Sequence, residues 1–185
     1  MTGPSGAGKG TLIERVLPRF PELALAVSAT TRARRPGEVD GAHYYFLSRD
    51  DFDRRVEAGE FLEWVDYVGN RYGTLVSEIE RLRGEGKAPL LELETEGALR
   101  VKRRVDGAVT VFVTAPVAEL ERRLRERATE SSGEIGGRLE VAHGQLAQEG
   151  EFDYVVRNDD LDTAADRLAA IVERELAAAT MAPRR

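Results

Sequence analysis

The stretch Gly3-Pro4-Ser5-Gly6-Ala7-Gly8-Lys9-Gly10-Thr11 opens the chain and restricts its fold more than any other. It fits G-x-x-x-x-G-K, a glycine-rich loop that hangs between a buried strand and a helix. Glycines let backbone N–H groups converge on an anion with no side chain in the way. The helix beginning near Lys9 adds its unpaired N-terminal N–H groups and the positive end of its dipole. Lys9 can reach the outer phosphates as a movable point charge. A flexible glycine-rich terminus would have the same composition. Against it, Leu12, Ile13, Val16, Leu17 and Phe20 share one helical face, and Lys9 is one of only three lysines beside 24 arginines. The strict motif places Ser or Thr directly after the lysine as a magnesium ligand; here Gly10 stands there and the hydroxyl comes at Thr11.

Downstream, strands and helices alternate. Leu23 to Val27 reads as a short buried strand, and Ser28 to Glu38 follows it with hydroxyls and arginines. Such residues at the carboxyl end of a strand suit a ligand site in an open α/β sheet, and a solvated basic turn suits them equally. His43 to Leu47 reads as a strand, and Ser48-Arg49-Asp50-Asp51 as a capping box opening a helix that ends near Gly59. Phe61 to Tyr67 alternates as a strand. Glu63, among its aromatics, is either a satisfied edge residue or an acceptor for the paired N–H donors of guanine. Gly69 to Thr74 reads as a turn, with Thr74 capping the helix of Leu75, Ile79 and Leu82.

Strands are expected at Pro89 to Glu94, Ala108 to Thr114 and Phe152 to Val156. Helices are expected at Ala98 to Val105, after Pro116, and over Leu161 to Ala179. Arg122, Arg123, Arg125, Arg127 and Arg138 crowd the polar, glycine-rich stretch 128–137. They suit a lid over a nucleotide, or a solvated face of Glu–Arg pairs, which alone is the better account.

The pattern implies a doubly wound, mostly parallel sheet with helices on both faces. The closely spaced strands of 32–83 imply a small inserted mixed sheet. At 185 residues and 42% hydrophobic, the chain makes one domain with a real core. Its net charge of −6 argues against nucleic acid as partner. It has no cysteine and two distant histidines, so no disulfide and no zinc site is expected. No apolar run reaches membrane-spanning length, and cytoplasm is the default expectation.

Taken together these stretches resemble guanylate kinase, over nearly the full chain. The carriers are G-P-S-G-x-G-K at Gly3 to Lys9, S-x-T-T-R-x-x-R-x-G-E at Ser28 to Glu38, and D-G-A-H-Y-Y-F at Asp40 to Phe46. Further along come F-L-E-W at Phe61 to Trp64, Y-G-T at Tyr72 to Thr74, R-x-T-E at Arg127 to Glu130, R-L at Arg138-Leu139, and D-Y-V-V-x-N-D-D at Asp153 to Asp160.

The resemblance implies a phosphate-loop α/β core (about 1–31, 84–120 and 148–185), a GMP-binding lobe (about 32–83) and a helical lid (about 121–147). It implies reversible phosphoryl transfer from ATP to GMP or dGMP, with Mg²⁺ as cofactor. Gly3, Pro4, Ser5, Gly6, Ala7, Gly8, Lys9, Gly10 and Thr11 would hold the ATP phosphates, with Asn158 near the adenine. Arg32, Arg35, Tyr44 and Tyr72 would clamp the GMP phosphate, and Ser28, Glu63 and Thr74 would read guanine. Lys9, Arg35, Arg123, Arg127 and Arg138 would meet the transferring phosphates. Thr11, Glu92 and Glu94 would hold the metal, partly through water, with Glu92 also near the base.

Departures are Gly10, Glu94 in place of the family's usual aspartate, and Glu96 in place of its usual glutamine. A non-catalytic interaction domain of the same family, or a kinase for another small phosphate ester, is the alternative. Only Met1 and Thr2 precede the loop. The family's fold has a strand there, inside the sheet beside the strand carrying Glu92, so the chain is expected to continue upstream and to gain stability and activity from added apolar residues.

Overall fold

Gly8 lies at φ 85° and ψ 25° and is the N-cap of α1 (Lys9–Val16). This left-handed conformation suits glycine, and a Cβ there would also strike the Asn158 amide. The helix follows as its spacing predicts, burying Leu12, Ile13 and Val16. The computed structural model describes residues 1–126 and 141–181. The architecture is α/β, and it divides into two units: Met1–Phe20 with Gly107–Arg185, and Pro21–Asp106.

In the first unit the sheet is parallel. Thr2 bridges Phe112 of β7 (Val111–Thr114). Its N–H donates to Val111 O at 2.9 Å and its carbonyl accepts from Val113 N at 2.7 Å. On its other side β7 pairs in parallel with β8 (Tyr154–Arg157). All four β7 residues are buried, as the β-branched run predicts for a strand covered on both faces. The Phe112 ring meets Phe152 with centroids 5.1 Å apart. Asp153 Oδ2 accepts from both the N–H and the hydroxyl of Thr110, which ties the feet of β7 and β8.

α1 packs on the long closing helix, Leu161–Met181. Ion pairs Arg15–Asp162 and Arg19–Asp166 link the two; being exposed, each contributes at most about 1 kcal/mol. The closing helix buries Ala164, Ala165, Leu168 and Ala169 completely. The expected Ile171, Val172 and Leu176 are only half-buried. Pro116 precedes α5 (Val117–Glu126), and its carbonyl accepts from Leu120 N.

The second unit holds two sheets. β1 (Leu23–Leu25) pairs in parallel with β6 (Ala88–Leu90). A mixed sheet has the order β3-β2-β5-β4, from β3 (Tyr45–Phe46), β2 (Ala29–Thr30), β5 (Asn70–Leu75) and β4 (Phe61–Tyr67). β2 runs parallel to β3 and antiparallel to β5, and β4 antiparallel to β5. Ala29, Phe52, Phe61 and Leu75 form its core, with Phe52 stacked on Phe61 at 4.4 Å.

Phe52 comes from α2 (Arg49–Glu57), which starts as the Ser48 signal predicts: Ser48 Oγ accepts from Asp51 N at 3.0 Å. α3 (Val76–Gly84) buries Ile79 and Leu82, and Leu82 and Ile79 pack with Ala26. α4 (Thr95–Arg104) lies along β4. Arg100 donates to Trp64 O at 2.6 Å and Arg104 to Leu62 O at 3.1 Å.

Three local readings are corrected. Residues 70–74 are not a turn but most of β5; the turn is Val68-Gly69, both at positive φ, as a two-residue hairpin requires. Gly73 is glycine for space: a Cβ would stand 2.7 Å from Glu63 O and 2.8 Å from Trp64 Cβ. Thr74 does not cap α3, whose N-cap is Leu75 with no side-chain bond. The expected strand at 89–94 stops at Leu90, which leaves Glu92 and Glu94 on the segment leading into α4.

Candidate active site

The phosphate loop is braced from three sides. Lys9 Nζ donates to Gly3 O at 2.7 Å and to Pro4 O at 3.3 Å. Asn158, 3% exposed, donates through Nδ2 to Ala7 O at 2.8 Å. Arg123 donates to Gly6 O at 3.2 Å and to Asn158 O at 3.3 Å, while Glu119 holds its Nε at 2.7 Å. With these carbonyls engaged, the loop's backbone is fixed by side chains from α5 and the end of β8. Gly3 is pressed against β7, where a Cβ would collide with Val113 O. Thr11 and Gly10 lie exposed in the first turn of α1. Glu119 is pulled down to about 2 by hydrogen bonds from Arg122 and Arg123, so this arginine cluster is an ion-pair lattice as well as a source of positive charge. Arg127 and Arg138 lie outside the described residues.

In Pro21–Asp106 the hairpin register sets Glu63 opposite Thr74. Glu63 is 3% exposed, and its Oε1 accepts from the Thr74 hydroxyl at 3.0 Å. Burial pushes its carboxyl up to about 7; the hydroxyl and backbone N–H of Thr74 and the charge of Arg100 oppose that rise. Its Oε2 lies against Gly97 of α4, where a Cβ would stand 2.5 Å away. Glu63 is thus a buried carboxyl group held by Thr74 and packed on Gly97.

A second group collects Arg32, Tyr44 and Tyr72. The Arg32 guanidinium sits 5.4 Å from the Tyr44 ring centre, and Tyr44 meets Tyr72 edge-on at 6.1 Å. Arg32 also pairs with Glu38 at 2.6 Å. Hydrogen bonds from Arg32 and from the Arg35 backbone hold Glu38 at about 2, and Glu38 in turn raises Arg32. The Tyr44 hydroxyl is raised by burial and by the charge of Glu92, which places Glu92 within electrostatic reach of this group. Arg35 is exposed and joins through its backbone N–H to Glu38 at 2.7 Å. Ser28 is half-buried, and its carbonyl accepts from Tyr45 N at 2.9 Å.

Glu38 and the loop-bracing contact of Asn158 were not anticipated. Glu38 lies within the Ser28 to Glu38 stretch but carries no signal for its partner. Arg71 was also missed: it pairs with Asp53 and lies 5.5 Å from the centre of the Trp64 ring. Among the described residues no group of three or more His, Cys, Asp or Glu side chains converges as a metal cage. Thr11, Glu92 and Glu94 are all hard oxygen donors, the ligand type Mg²⁺ takes.

The guanylate kinase family model matches residues 1–175. The guanylate kinase of Synechococcus elongatus is 49% identical over 173 residues, covering 93% of this chain and 94% of that protein. The guanylate kinase of Rubrobacter xylanophilus is 47% identical over 178 residues, covering 96% and 93%. The crystal structure of guanylate kinase from Anaplasma phagocytophilum superposes with a TM-score of 0.74 at 30% identity, covering 94% of this chain and 82% of that one.

Proposed function

The chain belongs to the guanylate kinase family, and from that premise we propose that it transfers the γ-phosphoryl group of ATP to GMP or dGMP, giving ADP and GDP or dGDP. The observation that carries the choice of acceptor is the Glu63 carboxylate, buried and held by Thr74. Guanine presents two adjacent N–H donors, which a fixed carboxylate matches. Adenine presents a ring nitrogen lone pair at the same edge and would leave the buried carboxylate unpaired, a mismatch worth about 1–3 kcal/mol.

In this reading Ser28 and Thr74 read the base with Glu63. Arg32, Arg35, Tyr44 and Tyr72 hold the acceptor phosphate, with Glu38 keeping the Arg32 guanidinium aimed. Lys9 and the loop N–H groups bind the ATP phosphates, and Asn158 serves ATP by bracing that loop. Arg123, with Arg127 and Arg138, neutralises charge on the transferring group. Thr11, Glu92 and Glu94 would hold Mg²⁺, partly through water. When bound, the ion offsets charge on the β- and γ-phosphates. The acceptor phosphate is largely ionised at neutral pH, so no general base is assigned. Rate comes from alignment, charge neutralisation and exclusion of water. The same reading puts the enzyme in the cytoplasm.

The deciding experiment is a coupled ADP-release assay with ATP and each of GMP, dGMP, AMP, UMP and CMP. The expected result is turnover with GMP and dGMP far above the rest. Best activity with AMP or UMP would overturn the acceptor assignment, and no activity with any of them would favour a non-catalytic interaction domain.

A further inference from the structure

We propose that Glu78 is a positioning residue for acceptor binding, fixing the backbone that carries Ser28 and Tyr44. The proposal rests on reading Pro21–Asp106 as the unit that binds the acceptor nucleotide.

Glu78 sits in the first turn of α3, and its side chain is 1% exposed. Its two oxygens take four hydrogen bonds. Oε1 accepts from Val27 N and from Arg81 Nη2, each at 2.9 Å. Oε2 accepts from Arg81 Nε at 2.9 Å and from the Tyr45 hydroxyl at 3.1 Å. Burial alone would raise this carboxyl, but the donors of Arg81, Val27 and Tyr45 outweigh it, and the group lies below its ordinary value. It is therefore ionised at neutral pH.

The partners decide what the carboxylate does. Val27 is the residue before Ser28, and Tyr45 the residue after Tyr44. Tyr45 N also donates to Ser28 O at 2.9 Å. Glu78 thus closes a ring: helix α3, the chain entering β2, and β3. Ser28 and Tyr44 both hang from that ring. Tyr44 in turn touches Arg32 and Tyr72. A shift at Glu78 passes to one proposed base reader and to the proposed phosphate clamp together.

A requirement for packing alone would not call for a charge. Buried ion pairs can often be replaced by apolar side chains of similar volume without loss of stability. What an apolar residue cannot do is hold a main-chain N–H, a phenol and a guanidinium at fixed points. The charge is therefore assigned to position.

The test measures GMP affinity by calorimetry without ATP, and KM for ATP by kinetics, both well below each variant's Tm. Glu78→Gln keeps the volume but places an amide N–H₂ against donors. It should weaken GMP binding about tenfold, the equivalent of one charge-assisted hydrogen bond, and leave KM for ATP within about twofold. Tyr45→Phe keeps the Glu78–Arg81 pair and removes one contact; it should weaken GMP binding about threefold. Unchanged GMP affinity in both variants, with only Tm lowered, would make Glu78 a folding residue and overturn the proposal. If Glu78→Gln does not fold, unchanged affinity in Tyr45→Phe alone overturns it. Wild-type protein that binds no GMP would sink the acceptor reading itself, and this proposal with it.

Discussion

Around the phosphate loop, the groups proposed to meet a ligand are main-chain N–H groups and the Lys9 ammonium, and side chains brace the loop's carbonyls: Lys9 on Gly3, Asn158 on Ala7, Arg123 on Gly6. In Pro21–Asp106 the offered groups are side chains, and other side chains or the ladder hold them: Thr74 on Glu63, Glu38 on Arg32, Glu78 on Tyr45. The two designs discriminate differently. A nest of amides recognises negative charge and its geometry, and any triphosphate tail presents both. A buried carboxylate recognises the pattern of donors facing it, and that pattern differs from base to base. On this comparison, changes in the loop unit should affect every acceptor alike, and changes in the other should affect one.

The largest effect should come from Lys9→Ala. Loss of the loop's one cationic side chain should lower kcat by about 100–1000-fold with every acceptor that is turned over at all. A loss confined to GMP would break the comparison at its strongest point.

Glu63→Gln should lower kcat/KM for GMP by about 10–100-fold, equivalent to about 1–3 kcal/mol, and leave KM for ATP unchanged. Steady-state kinetics with each substrate varied in turn decides it. Unaltered kcat/KM for GMP would remove Glu63 from the base site.

Asn158→Ala should raise KM for ATP by about tenfold, because the Ala7 carbonyl loses its buried donor. GMP affinity without ATP should not change. A fall in GMP affinity instead would show that the loop's brace is not specific to the donor side.

Near neutral pH, where Glu63 is only partly protonated, a smaller effect sharpens the contrast. Glu63 sits at about 7 in the folded protein, above its ordinary 4.5. Guanine needs the ionised form, so KM for GMP should fall as pH rises toward about 7 and level off above it, by at most about tenfold per pH unit. KM for ATP should show no such break, and Glu63→Gln should abolish it. The sign for stability is opposite. Between about 4.5 and 7 the folded state keeps a proton the unfolded chain has released, so the unliganded protein loses stability across that window as pH rises. Urea midpoints of wild type and Glu63→Gln should therefore diverge with increasing pH; parallel curves would refute the raised carboxyl.

Much of the fold was legible because local chemistry and tertiary need agree. Gly8 before Lys9, Ser48 before its helix, and the alternation from Phe61 to Tyr67 all have local causes. Even buried Glu63 had a signal, since it occupies the same face as Phe61 and Val65. Gly73 misled because glycine has two uses. In a stretch that also holds Gly69 and Asn70 it suggested a turn, whereas the structure uses it where a cross-strand backbone leaves no room for a Cβ. Glu38 and Arg71 were missed because their partners are chosen by folding, and neither spacing nor residue type names them. Glu78 is the exception. It falls among Leu75, Ile79 and Leu82 on the apolar stripe of α3, a charge where the helix faces inward, and that misplacement was readable.

The division of the chain also orders its synthesis. Every strand pairing in Pro21–Asp106 closes within that continuous stretch. The other unit is split: its first piece ends at Phe20 and its second starts at Gly107. Thr2 waits for Phe112, α1 for the closing helix, and Ala7 for Asn158. A ribosome therefore delivers the phosphate loop before Arg123 and Asn158, two of the side chains that brace it. The motif that announces the family gains its full support only after the whole of Pro21–Asp106 has been made.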